Sequence, residues 1–243
     1  MRIIALMMAV LLGVPAAAQD TSIRLANIDW PPYNGKELRK GGAISAVVAE
    51  LLARGGVKVS YEFFPFNRAV QVGTEDSGFA GYLTEYDSTE TRQRCVISAP
   101  VGRAPVGFAT RRGFPFAYRS PESLVAYRVG VVHGYVNDGA EVDAMIAAGR
   151  LQVDRSNSDL QLLRKVAARR NDVGIIDVNV FKFLIGKQHD LSGSLVLSDM
   201  ILVDQGLHVC FARNPAGRAA NAALARVIAD ADVDALYRRY FEE

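Results

Sequence analysis

The chain has 243 residues and is 50% hydrophobic, 22% charged and 9% aromatic, with 21 Gly and 9 Pro. This balance excludes a disordered tail, a collagen-like repeat and a coiled coil, while the length admits one domain or two smaller ones. Lys and Arg total 28 against 26 Asp and Glu, a formal net charge of +2, and no basic run is longer than Arg169-Arg170. A nucleic-acid partner is not expected without a basic stripe.

Residues 1–18 read as a secretory signal peptide rather than part of the fold. Arg2 supplies a positive start, Ile3 to Val14 is apolar apart from Gly13, and Ala16-Ala17-Ala18 places small residues before a cleavage expected ahead of Gln19. A membrane anchor is the weaker alternative, because twelve helical residues rise about 18 Å against a hydrocarbon core of roughly 30 Å. The mature chain is expected to be exported to the periplasm, with no later segment long and apolar enough to span a membrane.

Ser22–Ile28 alternates and stops at Pro31-Pro32, which predicts a strand running into a loop. Beyond Gly41-Gly42, apolar residues at helical spacing predict a helix over Ala43–Arg54, stopped by Gly55-Gly56. Val57–Phe64 is strand-like by its β-branched and aromatic content, Asn67–Val72 reads as a short helix, and Gly78–Tyr82 as a strand. The order β-α-β-α-β predicts a parallel sheet with helices on its faces.

A second series follows Arg111-Arg112-Gly113. Ser120-Pro121-Glu122 has the chemistry of a helix start, with Ser as the cap and Pro in the first turn. Arg128–Val132, Leu151–Asp154 and Val173–Asp177 are expected strands. They alternate with helices over Asn137–Ala148, Ser158–Arg170 and Val178–Ile185. Leu207–Ala212 is the last expected strand, followed by helices over Pro215–Ile228 and Val233–Phe241. No internal repeat is visible.

Cys95 and Cys210 are the only cysteines, each within a short apolar run. An even count in an exported chain favours a disulfide, which would close a loop of more than a hundred residues and contribute roughly 4–5 kcal/mol. Two buried free thiols are the plain alternative.

Several motifs in this order resemble the family 3 extracellular solute-binding proteins, the periplasmic receptors of polar amino-acid ABC transporters. They are Ile23-Arg24-Leu25-Ala26-Asn27 with Trp30-Pro31-Pro32-Tyr33, Gly41-Gly42 opening a helix, and Pro65-Phe66-Asn67-Arg68-Ala69. Thr89-Glu90-Thr91-Arg92 leads to Ile97-Ser98-Ala99-Pro100, and the second half adds Val129-Gly130-Val131-Val132-His133-Gly134-Tyr135 and Asn171-Asp172-Val173-Gly174-Ile175-Ile176-Asp177. The resemblance covers nearly the whole mature chain. It implies an α/β, two-lobed periplasmic-binding-protein-like fold of type II with a ligand cleft between lobes. Lobe 1 would comprise 19–108 plus 207–243 and lobe 2 109–206, with crossings at Val106–Thr110 and near Gly206. Each lobe is expected to hold its own sheet, and a single continuous sheet through both halves would reject the division.

What the resemblance implies for the site can be named residue by residue. Arg92 matches the Arg that grips a ligand carboxylate, a task suited to the guanidinium fork, and Asp177 matches the acid that receives an α-ammonium from the other lobe. Plain alternatives are a solvated surface Arg and a helix-capping Asp. Trp30 takes the place of the aromatic over the ligand, with a buried core Trp as its alternative. Tyr33 and Phe66 read as wall residues, Arg68 as a cleft or helix-surface charge, and Tyr135 as a phenol able to reach the crevice.

One departure from the family pattern bears on the ligand. Small residues usually precede the family's Arg, and this chain has Glu85 and Asp87 there instead. Either an insertion shifts this loop, or two acids beside Arg92 neutralise it and favour a cationic, polyamine-like or neutral solute.

Local catalytic signatures such as His-Glu-x-x-His, Gly-x-Ser-x-Gly or a phosphate loop are missing, and His133, His189 and His208 are too dispersed for a metal motif. The expected role is a non-enzymatic, cofactor-free, monomeric receptor that captures a small solute and delivers it to an ABC-transporter permease. A dehydratase-like enzyme using Glu85 or Asp87, and a ligand-free scaffold or sensor partner, are the alternatives on the same fold.

Overall fold

A computed structural model of the chain describes residues 21–133 and 140–242. The signal peptide, its cleavage point and Tyr135 lie outside the described residues.

The first half runs β1 (Thr21–Asn27), α1 (Ala43–Arg54), β2 (Val57–Phe63), α2 (Phe66–Glu75), β3 (Gly81–Glu85), α3 (Thr89–Arg94), β4 (Val96–Ile97) and β5 (Gly102–Arg111). The second runs β6 (Arg128–Val132), α4 (Ala140–Ala147), β7 (Gln152–Ser156), α5 (Asp159–Ala167), β8 (Val173–Asp177), α6 (Val178–Lys187), α7 (His189–Ser192), β9 (Leu195–Phe211), α8 (Pro215–Ile228) and α9 (Val233–Glu242). Local chemistry accounts for many of these bounds. Ser158 and Asn214 cap α5 and α8 by accepting from Gln161 N and Gly217 N, and each satisfies a backbone donor that the helix start leaves without a partner.

Strands β1 and β2 pair in parallel along their full length, and β1 also pairs in parallel with β3. Parallel pairs β6–β7 and β6–β8 repeat the arrangement in the second half. Between the two groups lie β5 and β9, antiparallel from Gly102 opposite Leu207 to Arg111 opposite Leu195. The end of β9 then continues beside β3 and β4.

The strands therefore follow one hydrogen-bonded path, β2-β1-β3-β9-β5-β8-β6-β7, which corrects the expectation of two separate sheets. Its physical reason is the length of β9, whose 17 residues leave one group of strands and join the other without a break. Only Leu207–Ala212 was expected as strand, because Ser198-Asp199-Met200 interrupts the alternation upstream.

Smaller corrections have local causes. Residues 76–79 form a turn, with Gly78 N donating to Asp76 Oδ1 at 2.7 Å, so the strand expected from Gly78 begins at Gly81. Helix α5 stops at Ala167 rather than Arg170, and Arg169 takes a left-handed φ of 60°. The helix expected after Ser120 is a 3-10 turn over Pro121–Ala126.

Buried Leu, Ile, Val and Phe side chains form the core on both sides of the path. The largest cluster joins Leu25, Ile44, Leu51 and Leu83 from the first half to Leu162, Leu163, Ile176 and Phe181 from the second. Cys95 and Cys210 are buried and joined in a disulfide with Cα atoms 5.6 Å apart, within the usual range for a bridge.

Candidate functional site

The turn after β1 is held by a buried polar network. Asn27 Nδ2 donates to Ser45 Oγ at 2.8 Å, Ser45 Oγ to Asn34 Oδ1 at 3.1 Å, and Asn34 Nδ2 bonds Thr84 Oγ1. Helix α1 seats on the same turn, Ala43 N and Ile44 N donating to the carbonyls of Pro32 and Tyr33. Gly42 permits that approach: a Cβ there would lie 2.4 Å from the Tyr33 carbonyl, and its φ of 104° suits glycine. Tyr33 is consequently fixed with its ring fully buried.

Asp177 ends β8, all five residues of which are buried, and it begins α6 at once. Its Oδ1 caps the helix, accepting from Asn179 N and Val180 N at 2.8 Å each. Its Oδ2 accepts from the Tyr33 hydroxyl at 2.8 Å, and Asn179 Nδ2 donates to the same Tyr33 oxygen at 2.9 Å. Burial pushes the Asp177 carboxyl up to about 6, against the helix N–H groups and the Tyr33 hydroxyl, which favour its charge. Tyr33 is driven far up for the matching reason: burial first, then the Asp177 charge.

Aromatic rings enclose this pair. Trp30 lies 4.6 Å from Tyr33 between centroids, Tyr86 meets Trp30 edge-on at 6.3 Å, and Tyr237 of α9 is 6.3 Å from Tyr33. Asn179 and Tyr237 also border a groove of about 510 Å³ with Pro32, Lys182, Phe183 and Phe241. A carboxylate among electron-rich ring faces is an environment that attracts cations.

The structure brings together Trp30, Tyr33 and Asp177, while the other described candidates are engaged with other partners or exposed. Arg92 sits on α3 with its side chain 63% exposed and forks onto Asp87. Among the described residues, no hydrogen bond or ion pair joins it to Trp30, Tyr33 or Asp177. Glu85 accepts from the Tyr82 hydroxyl and Tyr86 N and lies 3.6 Å from Arg94. Phe66 is 48% exposed at the start of α2, and Arg68 on that helix bonds Gln71. Phe66, Arg68 and Arg92 are exposed because α2 and α3 turn them outward, whereas Glu85, at the end of β3, is half-buried and taken up by Tyr82, Tyr86 and Arg94.

Sequence reasoning missed Asn179, Tyr86 and Tyr237. Asn179 had a usable signal, two residues beyond a capping Asp; Tyr237 had none, because it arrives from the far end of the chain. His133 and His189 are exposed, while His208 is buried with Nδ1 donating to the Ser98 carbonyl. Among the described residues, no group of three or more His, Cys, Asp or Glu is placed to hold a metal, and no helix is long and apolar enough to cross a membrane.

No protein-family profile matches the chain, and no curated protein matches it. Solved structures do. An ancestral arginine-binding protein bound to arginine superposes with TM-score 0.67 at 16% identity, over 90% of this chain and 98% of that one. The substrate-binding protein of an amino acid ABC transporter gives 0.65 at 15%, over 91% and 100%. The VFT2 domain of Bordetella pertussis BvgS gives 0.70 at 14%, over 90% and 93%. The chain has a two-lobed, periplasmic-binding-protein-like α/β fold. With that likeness one continuous path no longer rejects two lobes: β5 and β9 are the paired strands that link its two parallel groups.

Proposed function

We propose that this protein is a periplasmic receptor that captures a small amine-bearing solute, an amino acid or a relative, by lobe closure and delivers it to an ABC-transporter permease. Lobe 1 is 19–108 plus 207–243, lobe 2 is 109–206, and β5 and β9 act as the hinge. The observation that carries the reading is Asp177, a buried carboxylate facing Tyr33 across the lobes among four aromatic rings. Its Oδ1 is filled by the helix cap, so a ligand ammonium docks on Oδ2 beside the Tyr33 hydroxyl. Arg92, already paired with Asp87, is no partner for a ligand carboxylate in this arrangement. The favoured solute is therefore cationic rather than an ordinary zwitterion.

A sensory role is the second reading, supported by a likeness to the sensor domain of a histidine kinase. A thermal-shift screen with amino acids, polyamines and small carboxylates, followed by mass analysis of the hits, tests both. Stabilisation by amines with no conversion is the expected result. Turnover lost on changing Glu85 or Asp87 would replace the receptor with an enzyme, and a stable protein partner without any solute response would favour the sensor.

A further inference from the structure

Three buried side-chain polar atoms lack a hydrogen-bond partner among the described residues, and two of them flank Tyr33: the indole Nε1 of Trp30 and the hydroxyl of Tyr237. Both can donate, and the indole N–H can do nothing else. Buried donors without partners are uncommon because the hydrogen bond given up to water is not replaced. Finding two on the rings beside Tyr33, the partner of Asp177, marks a place where an acceptor is supplied from outside the chain.

The charge of that acceptor follows from its surroundings. Both donors are neutral, and Tyr237 feels the Asp177 charge, which together with burial holds its hydroxyl well above the usual phenol range. A carboxylate drawn in here would lose its water and face Asp177, and among the described residues no buried cation bonds to the cluster, Arg92 being exposed and paired with Asp87. Lys182 and Arg238 border the adjoining groove, but both are exposed and share it with Glu242. A hydroxyl or amide oxygen meets the two donors without those penalties.

We propose that the solute carries, besides its amine, neutral acceptor oxygen held by Trp30 Nε1 and Tyr237 Oη; this rests on the reading that Asp177 receives the amine. The two residues then set specificity, because a site with buried donors rejects an analogue that leaves them unpaired. Each neutral hydrogen bond regained is worth roughly tenfold in affinity.

Trp30 is the only tryptophan, so the 15N-labelled protein has one side-chain indole cross-peak that reports on Nε1 directly. The probes are butylamine, 4-amino-1-butanol, 4-aminobutanamide and 4-aminobutanoate, titrated by NMR and calorimetry. The alcohol and the amide should bind at least about tenfold more tightly than butylamine or 4-aminobutanoate and move the indole peak downfield. Trp30→Phe and Tyr237→Phe should each remove about tenfold from the alcohol-over-butylamine ratio. If either variant fails to fold, the wild-type indole shift still decides. Equal binding of the alcohol, amide and butylamine, or an indole peak that stays still, overturns the inference while butylamine binding lost in Asp177→Asn keeps the amine reading. Tightest binding by 4-aminobutanoate overturns it as well. Failure of every probe to bind overturns it together with the amine reading.

Discussion

Asp177 and Asp87 make an instructive pair. Both are carboxylates in the connection from a strand to a helix, and both were expected at the ligand. Asp177 passes straight from β8 into α6, a ten-residue helix anchored by buried Val180 and Phe181, so its carboxylate is locked against the Tyr33 hydroxyl. Asp87 lies in a loop between β3 and α3, and α3 has six residues, of which only Thr91 is buried. A short helix with one buried contact rides on the surface, and Arg92 goes with it. Position after a strand end is shared by the two regions; burial of the following helix is what separates a buried carboxylate from a surface ion pair.

The largest effect expected from pressing on this contrast concerns the disulfide, because Cys95 is the residue that ends α3. Replacing both cysteines by Ser should cost roughly 4–5 kcal/mol in urea unfolding, given a closed loop of 115 residues. Hydrogen exchange should show α3 losing protection before α6. Loosening of α6 first would mean that the two regions are not independently anchored.

Next in size is ligand affinity. Asp177→Ala leaves the amine of a bound solute without its counter-charge, a change of the kind that costs about 2–5 kcal/mol, or 30-fold and more. Arg92→Ala should leave affinity within about twofold or tighten it, because an exposed pair contributes little. Calorimetry on both variants with the tightest amine from the screen measures the asymmetry. A comparable loss in Arg92→Ala would return Arg92 to the site and break the comparison.

The smallest effect is with pH, and it has two opposite signs at one group. Asp177 titrates at about 6 in the folded chain against a reference of 3.8. Between about 4 and 6 the folded state holds more protons than the unfolded one, so Asp177's contribution to stability falls as pH rises through that window. Amine affinity moves the other way, rising about tenfold from pH 5 to 7 as the carboxylate ionises. Melting and calorimetry across this range, with Asp177→Asn as the flat control, test both slopes. An affinity that does not depend on pH would remove Asp177 from the amine.

Much of the local structure was legible before any coordinates. Ala43–Arg54, stopped by its glycines, and Pro215–Ile228 have the bounds expected of them, and Val173–Asp177 is bounded by its own apolar run. The disulfide followed from two cysteines and an expected export route. These features depend on residues within one or two turns of each other, so periodicity and caps reveal them.

Tertiary structure alone decided which charges are buried. Tyr33 and Asp177 are 144 residues apart, and Tyr237 joins them from the last helix, so no local pattern records their meeting. The length of β9 and the outward turn of Arg92 belong to the same class. The sequence by itself determined many of the helices and strands and the chemical candidates. Burial is a sum over elements distant in the chain, and only the folded arrangement turned Asp177 into a carboxylate that titrates near 6 and left Arg92 in solvent.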